Sequence, residues 1–141
     1  MSSNFCSHPI DVSKYGLIFA GAQKNVGPSG VTIVIVREDL LDSRLPITPT
    51  MCDYSIAAKN GSMYNTPPTF TIYMCGLYFE YLLKTGGLSA WKELSKKKSN
   101  ILYDFIEASN GFYISPIDKV YRSKMNLPFR IKNGIYFQNT Y

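Results

Sequence analysis

The sequence is poor in cysteine, histidine and charge. Cys6, Cys52 and Cys75 are odd in number and widely spaced. That argues against a disulfide scaffold and a structural zinc site, and points to a reducing compartment; the cytoplasm is expected. His8 is the single histidine, so no metal site is expected. Charged residues make up 18% and apolar residues 45% of the 141 positions, which excludes a disordered or collagen-like chain. No apolar run approaches the ~18 residues of a membrane span. Met1-Ser2-Ser3-Asn4 lacks the basic and apolar regions of a signal peptide, and no basic residue precedes Lys14; no leader is expected. There is no internal repeat and no low-complexity tract.

Aromatic residues, in contrast, are plentiful: 11 Tyr and 8 Phe. That is more ring surface than a chain this small usually hides, and it fits a piece that expects a partner or a larger body. The net charge is +5. It permits nucleic-acid binding, but Lys96, Lys97 and Lys98 fall inside a helix-like stretch without an accompanying recognition signature. A solvated helix face is the reading, and no nucleic-acid partner is expected.

Along the chain, residues 1–14 read as loop. Tyr15 to Ala20 is a short apolar run that suits a buried strand. Gly21-Ala22-Gln23-Lys24-Asn25-Val26-Gly27-Pro28-Ser29-Gly30 is too rich in glycine and proline for a regular element and predicts a tight loop. Val31 to Val36 is the clearest strand, and its nearly continuous apolar character predicts a central position with both faces covered. Arg37 to Leu41 suits a helical turn, and residues 42–68 read as irregular. From Thr69 a helix is expected, with Phe70, Tyr73, Met74, Leu77, Tyr81 and Leu82 as its inward stripe, some cover on the opposite side at Ile72 and Phe79, and Gly86-Gly87 as its stop. A second helix runs from Leu88 to Ser109 on a stripe of Trp91, Leu94, Ile101, Leu102, Phe105 and Ile106, stopped at Asn110-Gly111. Phe112 to Ile114 and Lys124 to Ile131 read as strands, with Pro128 favouring an edge.

Lys24 is the residue with the most chemistry. It follows a strand and lies between glycines, so it could bind a phosphate, form an ion pair, act as an amine nucleophile, or face solvent. A Walker loop is excluded by the spacing and by the strand, rather than helix, that follows. Asn65-Thr66 lies before the Pro67-Pro68 helix start. An amide and a hydroxyl there suit a phosphate cradle or plain capping by Thr66.

The segment from Gly21 to Gly30 closely resembles the cofactor-lysine segment of the phosphoserine aminotransferase family, in class V of the fold-type I pyridoxal-phosphate proteins. Met1 to Phe5, Val31 to Leu41, Ser62-Met63-Tyr64-Asn65-Thr66-Pro67-Pro68-Thr69-Phe70 and Ser123-Lys124-Met125-Asn126-Leu127-Pro128-Phe129-Arg130 are similar to the same family, in order, over about residues 1–132. The resemblance implies an α/β fold. Residues 1–110 would be the C-terminal portion of a large cofactor-binding domain, a mostly parallel sheet flanked by helices. Residues 111–141 would begin a small C-terminal α+β domain.

It also implies roles. Lys24 matches the lysine that holds pyridoxal 5'-phosphate as an internal aldimine and moves a proton during catalysis. Gln23 matches a cofactor-phosphate ligand. Asn65 and Thr66 match the pair that reaches the cofactor phosphate of the neighbouring subunit. Ser2 and Ser3 follow the position of the aspartate at the pyridine nitrogen. His8 stands where the family has Arg, and reads as a solvent-facing loop residue. Arg130 reads as an ion-paired or exposed edge arginine, and the cysteines as small packing groups.

The implied reaction transfers an amino group between glutamate and 3-phosphohydroxypyruvate, with phosphoserine and 2-oxoglutarate as the other pair, in a homodimer or beside a full-length subunit. The family's proteins are more than twice this long. Their parts ahead of position 1 supply a glycine-containing phosphate loop, a stacking ring and the aspartate; those beyond about residue 132 supply a His-Arg phosphosubstrate motif. Residues 135–141 depart from the pattern. The alternative is a catalytically inactive truncated homologue that acts, if at all, as a dimer partner.

Overall fold

The computed structural model of the chain describes residues 1–132 and the strand Tyr136–Phe137. Positions 135 and 138–141 of the expected departure lie outside the described residues. The chain divides into two compact units. One comprises Met1–Ser2 with Ile10–Glu80, the other Ser3–Pro9 with Tyr81–Tyr141.

In the first unit, β1 (Leu17–Gly21) pairs with β2 (Thr32–Val36), Leu17 opposite Val36 and Gly21 opposite Thr32. The pairing is antiparallel. The reason is length: a parallel crossover takes about a dozen residues or more, and residues 22–31 loop straight back. Backbone bonds continue the ladder past both ends, from Arg37 N to Gly16 O and from Ala22 N to Val31 O, each 2.9 Å.

The free edge of β1 is held by the N-terminal residues. Met1 N donates to Phe19 O at 2.7 Å, and Gly21 N donates to the Ser2 hydroxyl at 2.8 Å. Ile18 and Ala20 are buried on one face. Neither face of the pair is fully covered by the described residues: Phe19 is 58% exposed on one and Ile35 40% on the other. The full cover expected of β2 is therefore not supplied by the described residues.

Beyond β2, Glu38–Leu40 forms the expected single turn. The stretch read as irregular contains another turn, Thr50–Cys52, and a short helix, α1 (Tyr54–Lys59). Asp53 caps α1, accepting from Ser55 N at 2.9 Å and from the Ser55 hydroxyl at 2.7 Å. Its second oxygen meets Arg44 Nη1 at 3.1 Å. Helix α2 (Thr69–Lys84) starts just behind the proline pair, as expected. Its buried line matches the expected stripe only at Leu82: Thr71 and Cys75 are buried with it, whereas Phe70, Tyr73, Leu77 and Tyr81 are exposed, and so is Ile72.

In the second unit, α3 (Gly87–Ala108) buries Ser95, Ser99, Tyr103 and Ile106 and points Lys96, Lys97 and Lys98 outward. Leu94, Ile101, Leu102 and Phe105 of the expected stripe are exposed. The Tyr103 hydroxyl donates to Ser123 O at 2.9 Å, and the Arg122 guanidinium lies 4.6 Å from the Tyr103 ring centre. Glu107 accepts from Arg122 and from Lys119. The strands β3 (Tyr113–Ile114), β4 (Phe129–Ile131) and β5 (Tyr136–Phe137) form an antiparallel sheet in the order β3-β4-β5. β4 is thus central, which corrects the edge position inferred from Pro128. The proline stands just ahead of the strand, where its missing N–H interrupts no ladder bond.

Among the described residues, no helix is long and apolar enough to cross a membrane.

Candidate functional site

The loop from Ala22 to Gly30 is built around one helical turn. Ala22 O accepts from Val26 N at 3.1 Å and from Gly27 N at 2.9 Å. Ala22 and Val26, four residues apart, are buried to 0% and 1% exposure. Gln23 and Lys24 lie between them and are exposed. The turn therefore plugs its two small aliphatic residues inward and presents the amide and the amine outward. An exposed amine on a short, internally bonded turn stands where a small electrophile can reach it.

Gln23 lies back over the end of β1. A β-carbon added to Gly21 would stand 2.5 Å from Gln23 Oε1 and 3.0 Å from Nε2. A β-carbon at position 21 would push the amide end of this side chain out of that place. Gly30 has φ +112°, a backbone region that side chains rarely adopt, and it turns the chain into Val31 and β2.

The loop is fastened to α2. The Thr71 hydroxyl donates to Ser29 O at 2.9 Å. One turn further along, Cys75 Sγ lies 2.6 Å from the place a β-carbon on Gly27 would take. At Gly30 the corresponding neighbours are Thr71 Oγ1 at 3.5 Å and Pro68 Cβ at 3.7 Å. The end of the loop thus abuts the start of α2, and Asn65 and Thr66 are exposed just ahead of that start. The local hydroxyl bond at this helix entry comes from Thr69, which donates to Pro67 O at 3.4 Å. Ile72 N closes the first turn on Pro68 O at 3.1 Å.

The structure therefore carries Gln23 with Lys24 on one turn and Asn65 with Thr66 at one helix entry, both in the same unit. The donor set is an amine, two amides and a hydroxyl. Its chemistry fits an aldehyde-bearing phosphate ester: the amine can condense with the aldehyde, and neutral donors near a helix start suit a phosphate.

The remaining candidates lie elsewhere. Ser2 anchors Gly21, whereas Ser3, in the second unit, accepts from Asn126 Nδ2 at 3.1 Å. Arg130 is exposed but sits in the central strand β4, opposite Ile114 and Tyr136. His8 is half-buried, which corrects the solvent-facing reading: its Nδ1 lies 2.9 Å from the Ser7 hydroxyl, which donates to Asn4 O at 2.7 Å. Cys75 packs as expected, with its thiol pushed up by burial, whereas Cys52 is exposed. Among the described residues, no group of His, Cys, Asp and Glu could hold a metal. Sequence reading missed Ser2, Thr71 and Cys75 as anchors of the loop. The available signal was a pair of small residues, four apart, on a helix otherwise lined with large apolar ones.

The family model described as Aminotransferase class-V matches residues 1–139. Phosphoserine aminotransferase 1, chloroplastic, of Arabidopsis thaliana is 58% identical over 134 residues, 95% of this chain and 31% of that protein. A solved phosphoserine aminotransferase, studied for radiation damage of its Schiff base, superposes with a TM-score of 0.90 at 47% identity, covering 94% of this chain and 37% of the other. The pyridoxal-phosphate-bound phosphoserine aminotransferase of Trichomonas vaginalis gives a TM-score of 0.86 at 44% identity, over 93% and 38%. The chain thus spans about a third of the length of the relatives it matches.

Proposed function

Because the chain belongs to the class-V aminotransferase family, we propose that it supplies the cofactor-lysine portion of a phosphoserine aminotransferase. The reaction is amino-group transfer between glutamate and 3-phosphohydroxypyruvate, giving 2-oxoglutarate and phosphoserine. Bound pyridoxal 5'-phosphate supplies an aldehyde and a conjugated ring that takes up the electrons left when a Cα proton departs.

Each residue then has a task. Lys24 would hold the cofactor through its amine and would carry the proton to and from the substrate Cα. Gln23 donates its amide to the cofactor phosphate. Asn65 and Thr66 offer an amide and a hydroxyl to the phosphate of a second subunit, which makes the working form a homodimer. Residues 1–110 belong to the large domain, whose mostly parallel sheet continues from the β1 edge held by Met1 and Ser2. Residues 111–141 begin the small domain. Three free cysteines support a reducing compartment, and we place the protein in the cytoplasm.

The observation that carries this reading is the turn from Ala22 to Val26, which buries its neighbours and leaves Lys24 exposed on an anchored loop. The test is direct. The protein is mixed with pyridoxal phosphate, reduced with borohydride and digested, and the phosphopyridoxyl group is mapped by mass spectrometry. It is expected on Lys24, and absent in Lys24→Ala. Uniform low labelling of many lysines would reject the assignment.

A further inference from the structure

The loop that carries Lys24 is anchored to the rest of its unit well away from position 24. The loop is fixed at three points: by Ser2 at Gly21, by Cys75 at Gly27, and by Thr71 at Ser29. Of these, the Thr71 contact is a side-chain hydrogen bond from α2 to the loop. Thr71 lies in the first turn of α2, where the carbonyls one turn back, Pro67 O and Pro68 O, already accept from Thr69 and Ile72 N. At 6% exposure, Thr71 sends its proton out of α2 to a carbonyl 42 residues earlier. The neighbouring loop carbonyls of Ala22 and Val31 are satisfied by backbone N–H groups, whereas Ser29 O is met by this side chain. Directly after it comes Gly30, in the left-handed region. The bond therefore pins the peptide at which the loop changes direction into β2.

We propose that Thr71 is a positioning residue for the Lys24 amine: its hydroxyl holds the exit of the loop so that the Ala22-to-Val26 turn stays in the one arrangement that can accept pyridoxal phosphate. The proposal rests on the reading of Lys24 as the condensing lysine. Its energetic logic is preorganisation. If only a fraction of molecules hold the loop in the competent form, apparent cofactor affinity falls by that fraction. Removal of one neutral hydrogen bond lowers the fraction by about fivefold at room temperature.

The experiment uses the protein with pyridoxal phosphate as the probe, and reads apparent affinity from the absorbance of the Lys24-linked adduct together with the melting temperature without cofactor. Thr71→Val removes the donor and keeps the shape; Thr71→Ser keeps the donor and removes a methyl. The expected result is about fivefold weaker binding for Thr71→Val, wild-type binding for Thr71→Ser, and the borohydride-trapped group on Lys24 in both. Thr71→Val with wild-type affinity, even at a lowered melting temperature, overturns the proposal and leaves Thr71 a packing residue. If Thr71→Val does not fold, Thr71→Ala takes its place. If neither folds, Thr71→Ser decides: wild-type affinity supports the proposal and a fivefold loss overturns it. Failure of the underlying reading shows separately, as absence of a Lys24 adduct in the unsubstituted protein.

Discussion

Cys75 and Gly27 fit each other as knob and vacancy: the thiol sulfur stands 2.6 Å from where a β-carbon of residue 27 would be. Both sit inside the first unit, and the thiol is buried at 4% exposure. Neither the short cysteine side chain nor the backbone-bonded turn has room to withdraw. Gly27→Ala is expected to destabilise the protein by about 1–3 kcal/mol through overpacking. Adding Cys75→Ala should recover part of that loss, because the two residues compete for one space. Urea unfolding of the two single variants and the double variant measures this. Strict additivity would show that the contact is not the cause.

Lys24→Arg separates charge from nucleophilicity. The guanidinium stays protonated and cannot condense with an aldehyde. The exposed position tolerates the longer side chain, so a folded protein is expected, with circular dichroism unchanged and no borohydride-stable adduct. Retention of the adduct at position 24, or its appearance on another lysine at equal yield, would contradict the proposed role.

The junction between α2 and α3 depends on Gly86. Its φ is +102°, and an added β-carbon would lie 2.9 Å from Ala90 Cβ. Backbone strain and steric overlap act together, so Gly86→Ala is expected to cost about 1–3 kcal/mol. Thermal melting should fall accordingly. An unchanged melting temperature would mean that the helices can rejoin by another route.

Acid sensitivity is expected from Asp53. The Ser55 hydroxyl chiefly holds its carboxyl below the usual carboxylate range, burial opposes, and Ser55 N–H and the Arg44 guanidinium add to the lowering. A carboxylate favoured in the folded state contributes stability that is complete above its ordinary value. That contribution is lost as pH falls through the lowered one. The loss should therefore begin below about pH 4. Asp53→Asn should flatten this part of the stability–pH curve, leaving the similarly lowered Glu107 and Asp39 to act. Stability followed by urea midpoints between neutral pH and pH 3 tests it; an Asp53→Asn curve parallel to wild type would remove Asp53 from the account.

The sequence by itself determined where the backbone can and cannot be regular. Continuous β-branched residues make Thr32–Val36 a strand, Gly86 and Gly87 end a helix because both take positive φ, and Asn110-Gly111 does so again. It also singled out the residues proposed for the chemistry, in the loop around Lys24 and the pair Asn65-Thr66. Tertiary structure decided the rest. Periodicity records which side chains are apolar, not which face is met. On α2 the face that meets the loop is the one with Thr71 and Cys75, since only small side chains let a helix approach a glycine backbone, while Phe70, Tyr73 and Leu77 stay exposed. Helix α1 was hidden because its cap, Asp53, draws on Arg44 across a chain turn, and the antiparallel return of β2 follows from the span of a loop rather than from any strand composition.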